Sequence, residues 1–119
     1  YHLTRQLLPA IQQSQGGHIF NMCSIASLAA YPGGGSYSIS KFALLGFNKA
    51  LRAELQDQGI KVTAILPGAT WSDSWKGVDL PYDRLMQADD VAKAVMACLQ
   101  LSPAACMEEM ILRPQQGDL

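Results

Sequence analysis

The run His18-Ile-Phe-Asn-Met-Cys23, set directly behind Gly16-Gly17, and the run Lys61-Val-Thr-Ala-Ile-Leu66, set directly ahead of Pro67-Gly68, decide how this chain folds. Both are short and mostly apolar, without the polar alternation of a half-solvated sheet. That pattern suits strands buried on both faces of a parallel sheet. Between them lies a small-residue loop from Ser24 to Ser36, containing Pro32-Gly-Gly-Gly35, and then a helical pattern from about Ser36 to Gln58. Ile39, Phe42, Ala43, Leu44, Leu45, Phe47, Ala50, Leu51 and Leu55 cover well over half of that helix's circumference, so it should be buried on two sides. Gly59 is its stop.

Working outward, Leu3, Leu7 and Ile11 recur at helical spacing ahead of Gly16-Gly17 and predict a first helix. Beyond Pro67-Gly68 comes a loop of roughly twenty residues carrying Trp71, Trp75, Pro81 and Tyr82, and loops this long in compact domains are commonly functional. Asp89 or Asp90 can cap a third helix in which Val91, Val95, Cys98 and Leu99 share a face. Met107 to Leu112 reads as a third strand. The order α-β-α-β-α-β with short connections implies parallel strands and right-handed crossovers, an α/β layer. No internal repeat or linker divides residues 1–119.

The 119 residues are 49% hydrophobic and 16% charged, below the roughly 25% charged of ordinary soluble domains. Such a chain carries more apolar surface than a small monomer hides well, so a partner surface is expected. Nine Lys and Arg oppose ten Asp and Glu without a run of either sign. This balance argues against a nucleic-acid or anionic-membrane partner. No apolar run approaches the ~18 residues of a membrane span, and Tyr1 opens within a helical pattern with no basic n-region. Cys23, Cys98 and Cys106 are odd in number and lack metal-ligand spacing, which reads as reduced, inert cysteines of a cytoplasmic protein with no metal site. His2 and His18 are isolated, and a structural role is expected of them.

Chemistry is concentrated at Tyr37-Ser-Ile-Ser-Lys41. Residues four apart on a helix lie side by side, so a phenol and an ammonium become neighbours. A free phenol keeps its proton well above neutral pH, and an adjacent positive charge favours the phenolate. Such a Tyr can pass a proton to or from a substrate oxygen. Alone, this spacing is common on solvated helix faces. Its context is more specific: Ser24 stands at the end of the first strand, thirteen residues before Tyr37. Pro67-Gly68 ends the next strand, and carboxyl ends of strands line the ligand crevice in open α/β sheets. Ser27 is a competing hydroxyl. A serine-hydrolase alternative lacks the G-x-S-x-G elbow.

Together these motifs resemble the C-terminal part of a short-chain dehydrogenase/reductase. Gly17 to Ser24 resembles the strand ending in the catalytic serine, Tyr37 to Lys41 the Y-x-x-x-K pair, and Leu66-Pro-Gly-Ala-Thr70 the turn beside the nicotinamide. Asp90 to Val95 and Ile111 to Pro114 are similar to the last helix and strand. The resemblance implies a doubly wound, Rossmann-like parallel sheet and an NAD(P)-dependent oxidoreductase that interconverts a secondary alcohol and a carbonyl. In that reading Tyr37 is the general acid or base, Lys41 binds the nicotinamide ribose and tunes Tyr37, and Ser24 holds the substrate oxygen.

The resemblance further implies that NAD or NADP meets Tyr37, Lys41, Pro67, Gly68, Thr70 and Ser72, the last standing where the family commonly has Thr. Trp71 and Trp75 would shape the pocket of a small carbonyl or alcohol substrate. The family's glycine-rich turn, its cofactor-selecting residue and its catalytic Asn have no counterpart here. Residues 1–119 are therefore read as the catalytic half of a larger domain, inactive alone. The resemblance also implies a homodimer or homotetramer through the helices at 2–13 and 37–57. The alternative is a catalytically silent structural or regulatory dimer module of the same fold.

Overall fold

Strand β2 (Lys61–Pro67) is the centre of the structure, a computed structural model that describes residues 1–119. Strands β1 (His18–Met22) and β3 (Glu109–Leu112) pair with it on either side, both in parallel, in the order β1-β2-β3. The register sets His18 opposite Lys61 and Met22 opposite Ile65, then Ala64 opposite Glu109 and Pro67 opposite Leu112. Helices α1 (His2–Gln13), α2 (Gly35–Leu55) and α3 (Ala88–Leu99) alternate with the strands. The α/β order expected from the sequence is the order observed.

Strand alternation explains the layers. Val62, Ala64 and Leu66 project to one face of β2, where they join Cys23 and Ile60 and the Leu45, Leu51 and Leu55 side chains of α2. Leu8 and Ile11 of α1 close the lower part of this cluster. Thr63 and Ile65 project to the opposite face and are fully buried there, and α3 packs against β2. Burial on both faces is thus met at β2.

Three expectations are corrected. β1 is not buried on both faces: His18, Ile19 and Phe20 are half-buried and Met22 is exposed, because α1 and α2 cover only the face of Ile19 and Asn21 while α3 lies over β2. α2 is covered on one side, with Ile39 72% and Phe42 45% exposed on the other. The third strand starts at Glu109 and not at Met107, because the Met107 carbonyl turns to accept from the Thr63 hydroxyl at 2.6 Å. Boundaries shift elsewhere too. The last turn of the predicted 36–58 helix tightens into a 3-10 turn, Gln56–Gln58, and α3 is capped at Gln87, whose N–H donates to Asp90 Oδ2 at 2.8 Å. Asp90 therefore serves the helix end from its third position, and Asp89 pairs with Lys93.

The accessible surface is 7673 Å² for a chain of 12.9 kDa, against roughly 6300 Å² for a folded monomer of that mass. The radius of gyration is 15.7 Å, where a compact domain of this length has about 13.5 Å. Apolar side chains contribute to the exposed surface on α1 and α2, where Leu3, Leu7, Ile39 and Phe42 stand in solvent.

Candidate active site

Because β1 and β2 run parallel, the segments that leave them emerge on the same edge of the sheet, the edge where α/β folds open a crevice. The chain leaving β1 turns at Ser24 into a single 3-10 turn, Ile25–Ser27. The Ser24 hydroxyl oxygen accepts from the Ala26 N–H at 3.1 Å, while the Ser24 N–H donates to Ser27 Oγ at 3.2 Å. The hydroxyl proton of Ser24 thus remains for another acceptor. Ser24 lines a cleft of about 1110 Å³; Ser27, turned inward and 2% exposed, does not.

The loop then enters α2 through Gly34, which is buried. A Cβ there would strike the Ser38 hydroxyl and stand 3.0 Å from the Tyr31 carbonyl oxygen. Glycine lets the loop meet the helix closely enough to put Tyr37 in the first turn, on the cleft. One turn on, Lys41 Nζ stands 5.6 Å from the Tyr37 ring centroid and donates to the Met22 carbonyl at 2.9 Å. Lys41 therefore ties α2 to the end of β1 and holds its positive charge beside the phenol.

The facing wall comes from the segment beyond β2. Pro67, Gly68, Thr70, Trp71, Ser72 and Trp75 all line the same cleft. Thr70 is turned back, its hydroxyl donating to the Gly68 carbonyl at 3.0 Å, and it bridges Met86 across the loop. Trp71 is fixed twice, through its N–H to the Met86 carbonyl at 2.9 Å and through Nε1 to the Tyr82 carbonyl at 2.7 Å. The Tyr82 ring stacks on it. Ser72 shares a hydrogen bond of 2.6 Å with Ser74. The loop of roughly twenty residues is thus pinned at both ends and contains two short 3-10 turns, Asp73–Trp75 and Tyr82–Arg84.

Apart from Ser27, every site residue singled out from the sequence lies on this one cleft. Sequence reasoning missed Tyr31, Arg113 and Asp118, which line it too. Arg113 had a signal: it is the first residue past the carboxyl end of β3, and the crevice rule applies to that strand as well. Cys23 lines the cleft beneath Lys41. Burial raises its thiol pKa, outweighing the opposing charge of Lys41, so the thiol stays protonated at neutral pH. His18 stands at the amino end of the sheet, away from the cleft, where its Nε2 lies 2.7 Å from Thr63 Oγ1. No helix is long and apolar enough to cross a membrane.

A family model for short chain dehydrogenase matches residues 1–82, and the chain belongs to that family. It is 30% identical over 120 residues to a sepiapterin reductase from Chlorobaculum tepidum, covering 100% of this chain and 49% of that protein. Among solved structures, a betaketoacyl-ACP reductase from Bacteroides thetaiotaomicron superposes with a TM-score of 0.81 at 29% identity, covering 98% of this chain and 48% of the other. A 7α-hydroxysteroid dehydrogenase complexed with NADH and 7-oxo glycochenodeoxycholic acid superposes with a TM-score of 0.80 at 26% identity, over 98% of this chain and 50% of the other. The chain spans about half the length of the relatives it matches. Their shared architecture is the Rossmann-like doubly wound sheet.

Proposed function

We propose that the full-length protein is an NAD(P)-dependent oxidoreductase that interconverts a secondary alcohol and a carbonyl, with Tyr37 as general acid or base. The observation that carries this reading is the meeting of Ser24, Tyr37 and Lys41 on one cleft between the carboxyl ends of β1 and β2. Residues 1–119 form the catalytic half of a larger doubly wound domain, which accounts for the surplus surface and the open edge of β1.

In carbonyl reduction, negative charge builds on the substrate oxygen, and two hydroxyl donors aimed at that oxygen offset it. The Ser24 hydroxyl, whose oxygen already accepts from Ala26, donates its proton there. Tyr37 delivers the proton that completes the alcohol, and in the reverse direction removes it. The Lys41 ammonium stands 5.6 Å from the ring centroid of Tyr37, on the side of the cleft where the ribose would lie. The donor set also suits a nicotinamide nucleotide. One of the three ammonium protons of Lys41 goes to Met22, leaving two for ribose hydroxyls, and the Pro67-Gly68 turn with Thr70 and Ser72 offers close backbone and hydroxyls. A bound nicotinamide cofactor, NAD or NADP, supplies or receives the hydride. At about 1110 Å³ the cleft is of ligand-pocket size, with Trp71 and Trp75 placed against the substrate.

The outer faces of α1 and α2 form a contact with a second copy in a homodimer or homotetramer, and the protein works in the cytoplasm on a small-molecule substrate. The test is Tyr37→Phe in the full-length enzyme. Turnover with NADH or NADPH should fall by about 10²–10⁴ while the thermal melt is unchanged. Retained carbonyl reduction would overturn the assignment.

A further inference from the structure

The cleft has a third wall, supplied by neither the Tyr37 helix nor the Trp71 loop. Segment 113–119 leaves β3 and folds back over the Pro67-Gly68 turn, so that Arg113, Asp118 and Leu119 line the cleft. Pro114 is buried. Its Cδ lies 3.3 Å, and Asp118 Oδ1 3.5 Å, from where a Gly68 Cβ would stand.

Two guanidinium groups act on this segment, in different ways. Arg113 pairs with the Asp118 side chain; that pair is internal to the segment and fastens it to nothing else. Arg84 reaches in from outside, donating Nη1 to the Gly117 carbonyl at 3.0 Å and Nη2 to the Asp118 carbonyl at 3.2 Å. Two consecutive carbonyls suit the rigid fork of a guanidinium better than the single point of an ammonium. Arg84 itself does not line the cleft. It belongs to the same short turn, Tyr82–Arg84, whose Tyr82 carbonyl holds the Trp71 indole at 2.7 Å. One turn therefore fixes both the aromatic wall and the third wall.

We infer that Arg84 is a positioning residue: it latches segment 113–119 to the Trp71 loop and so sets the width of the outer mouth of the cleft. The inference rests on the proposed function, because the reaction it serves is the one assigned to that cleft. Arg84 acts on capture of the carbonyl substrate, and proton transfer at Tyr37 does not depend on it.

The experiment compares Arg84→Ala and Arg84→Lys with the unmodified full-length enzyme, using 1-phenyl-1,2-propanedione as the probe and whichever of NADH and NADPH the enzyme oxidises. Loss of two hydrogen bonds to the segment should raise KM for the diketone about five- to tenfold, with kcat within about twofold. Arg84→Lys, able to reach one carbonyl at a time, should fall between. Hydrogen exchange in the peptides spanning 113–119 and 70–86 should quicken in Arg84→Ala. Arg52→Ala, which removes a surface hydrogen bond of 2.5 Å to Glu108 away from the cleft, should leave KM unchanged. An unaltered KM, or a fall in kcat without a rise in KM, would overturn the inference even if exchange quickens. So would an equal rise in KM for Arg52→Ala, since loss of any surface tie would then suffice. Absence of turnover in the unmodified enzyme with this diketone and with a panel of other ketones and secondary alcohols, under either cofactor, would overturn the proposed function and this inference with it.

Discussion

The imidazole Nε2 of His18 and the hydroxyl of Thr63 stand 2.7 Å apart, and the same hydroxyl donates to the Met107 carbonyl at 2.6 Å. A hydroxyl has one proton to give, so Thr63 must accept from His18, which fixes the proton on Nε2. A single relay thus crosses β1, β2 and the approach to β3 at the amino end of the sheet. Its central oxygen is completely buried.

Replacing Thr63 by Val keeps the shape and removes the relay, leaving the Met107 carbonyl and the His18 N–H without their partner. Loss of a buried partner of this kind costs about 1–3 kcal/mol. A fall of that size in urea-unfolding free energy is expected, and an unchanged midpoint would refute the relay.

The His18 pKa is lowered, first by burial and then by the nearby charge of Lys61. The folded protein therefore binds this proton less readily than the unfolded chain does. Stability is fully present above the ordinary His value of about 6.5 and is lost as pH falls below it. Urea midpoints measured from pH 7.5 down to pH 5 should decline in the native protein, and the decline should be shallower in His18→Gln.

The two neighbouring serines separate function from fold. Ser24→Ala removes a hydroxyl that lines the cleft and, on the proposed mechanism, should cost about 10²–10³ in kcat, with about 1 kcal/mol from the lost turn cap. Ser27→Ala removes a hydroxyl that holds the Ser24 backbone from below and should cost stability while sparing most of kcat. The reverse pattern in steady-state kinetics would reassign the donor to Ser27.

Asn21 Nδ2 donates to Asn48 Oδ1 at 2.8 Å in the interior between β1 and α2. Asn48→Ala strands the Asn21 amide and should destabilise by about 1–3 kcal/mol. Because the two share one bond, the double variant Asn21→Ala/Asn48→Ala should lose less than the sum of the singles, as denaturant titration would show.

Much of the fold was legible because its signals were local. The apolar runs ending at Cys23 and Leu66 and the glycines and prolines around them set element order. The crevice rule then gathered Ser24, Tyr37, Lys41 and Pro67-Gly68 onto one edge. The unread features depend on who stands next to whom in space. β1 and β2 have similar composition, and only the pairing shows that one is an edge. Asn48 stands between Phe47 and Lys49 with no sequence mark that Asn21 faces it. Arg84 lies in a loop, and its partners are backbone carbonyls, which carry no side-chain identity to read. The start of β3 moved because a threonine hydroxyl on the neighbouring strand β2 took up the Met107 carbonyl.

The relay of His18, Thr63 and Met107, together with the Lys61 ammonium bonded to the Ser102 carbonyl at 2.7 Å, stiffens the amino end of the sheet through side chains. The opposite end, where the cleft opens, is walled by three loops that hang on a few turns. Mutations that reshape the Trp71 or Arg113 wall can therefore accumulate without loosening the strands beneath them. On the proposed function, changes in these loops alone would alter which substrates fit, while the strands beneath keep their pairing.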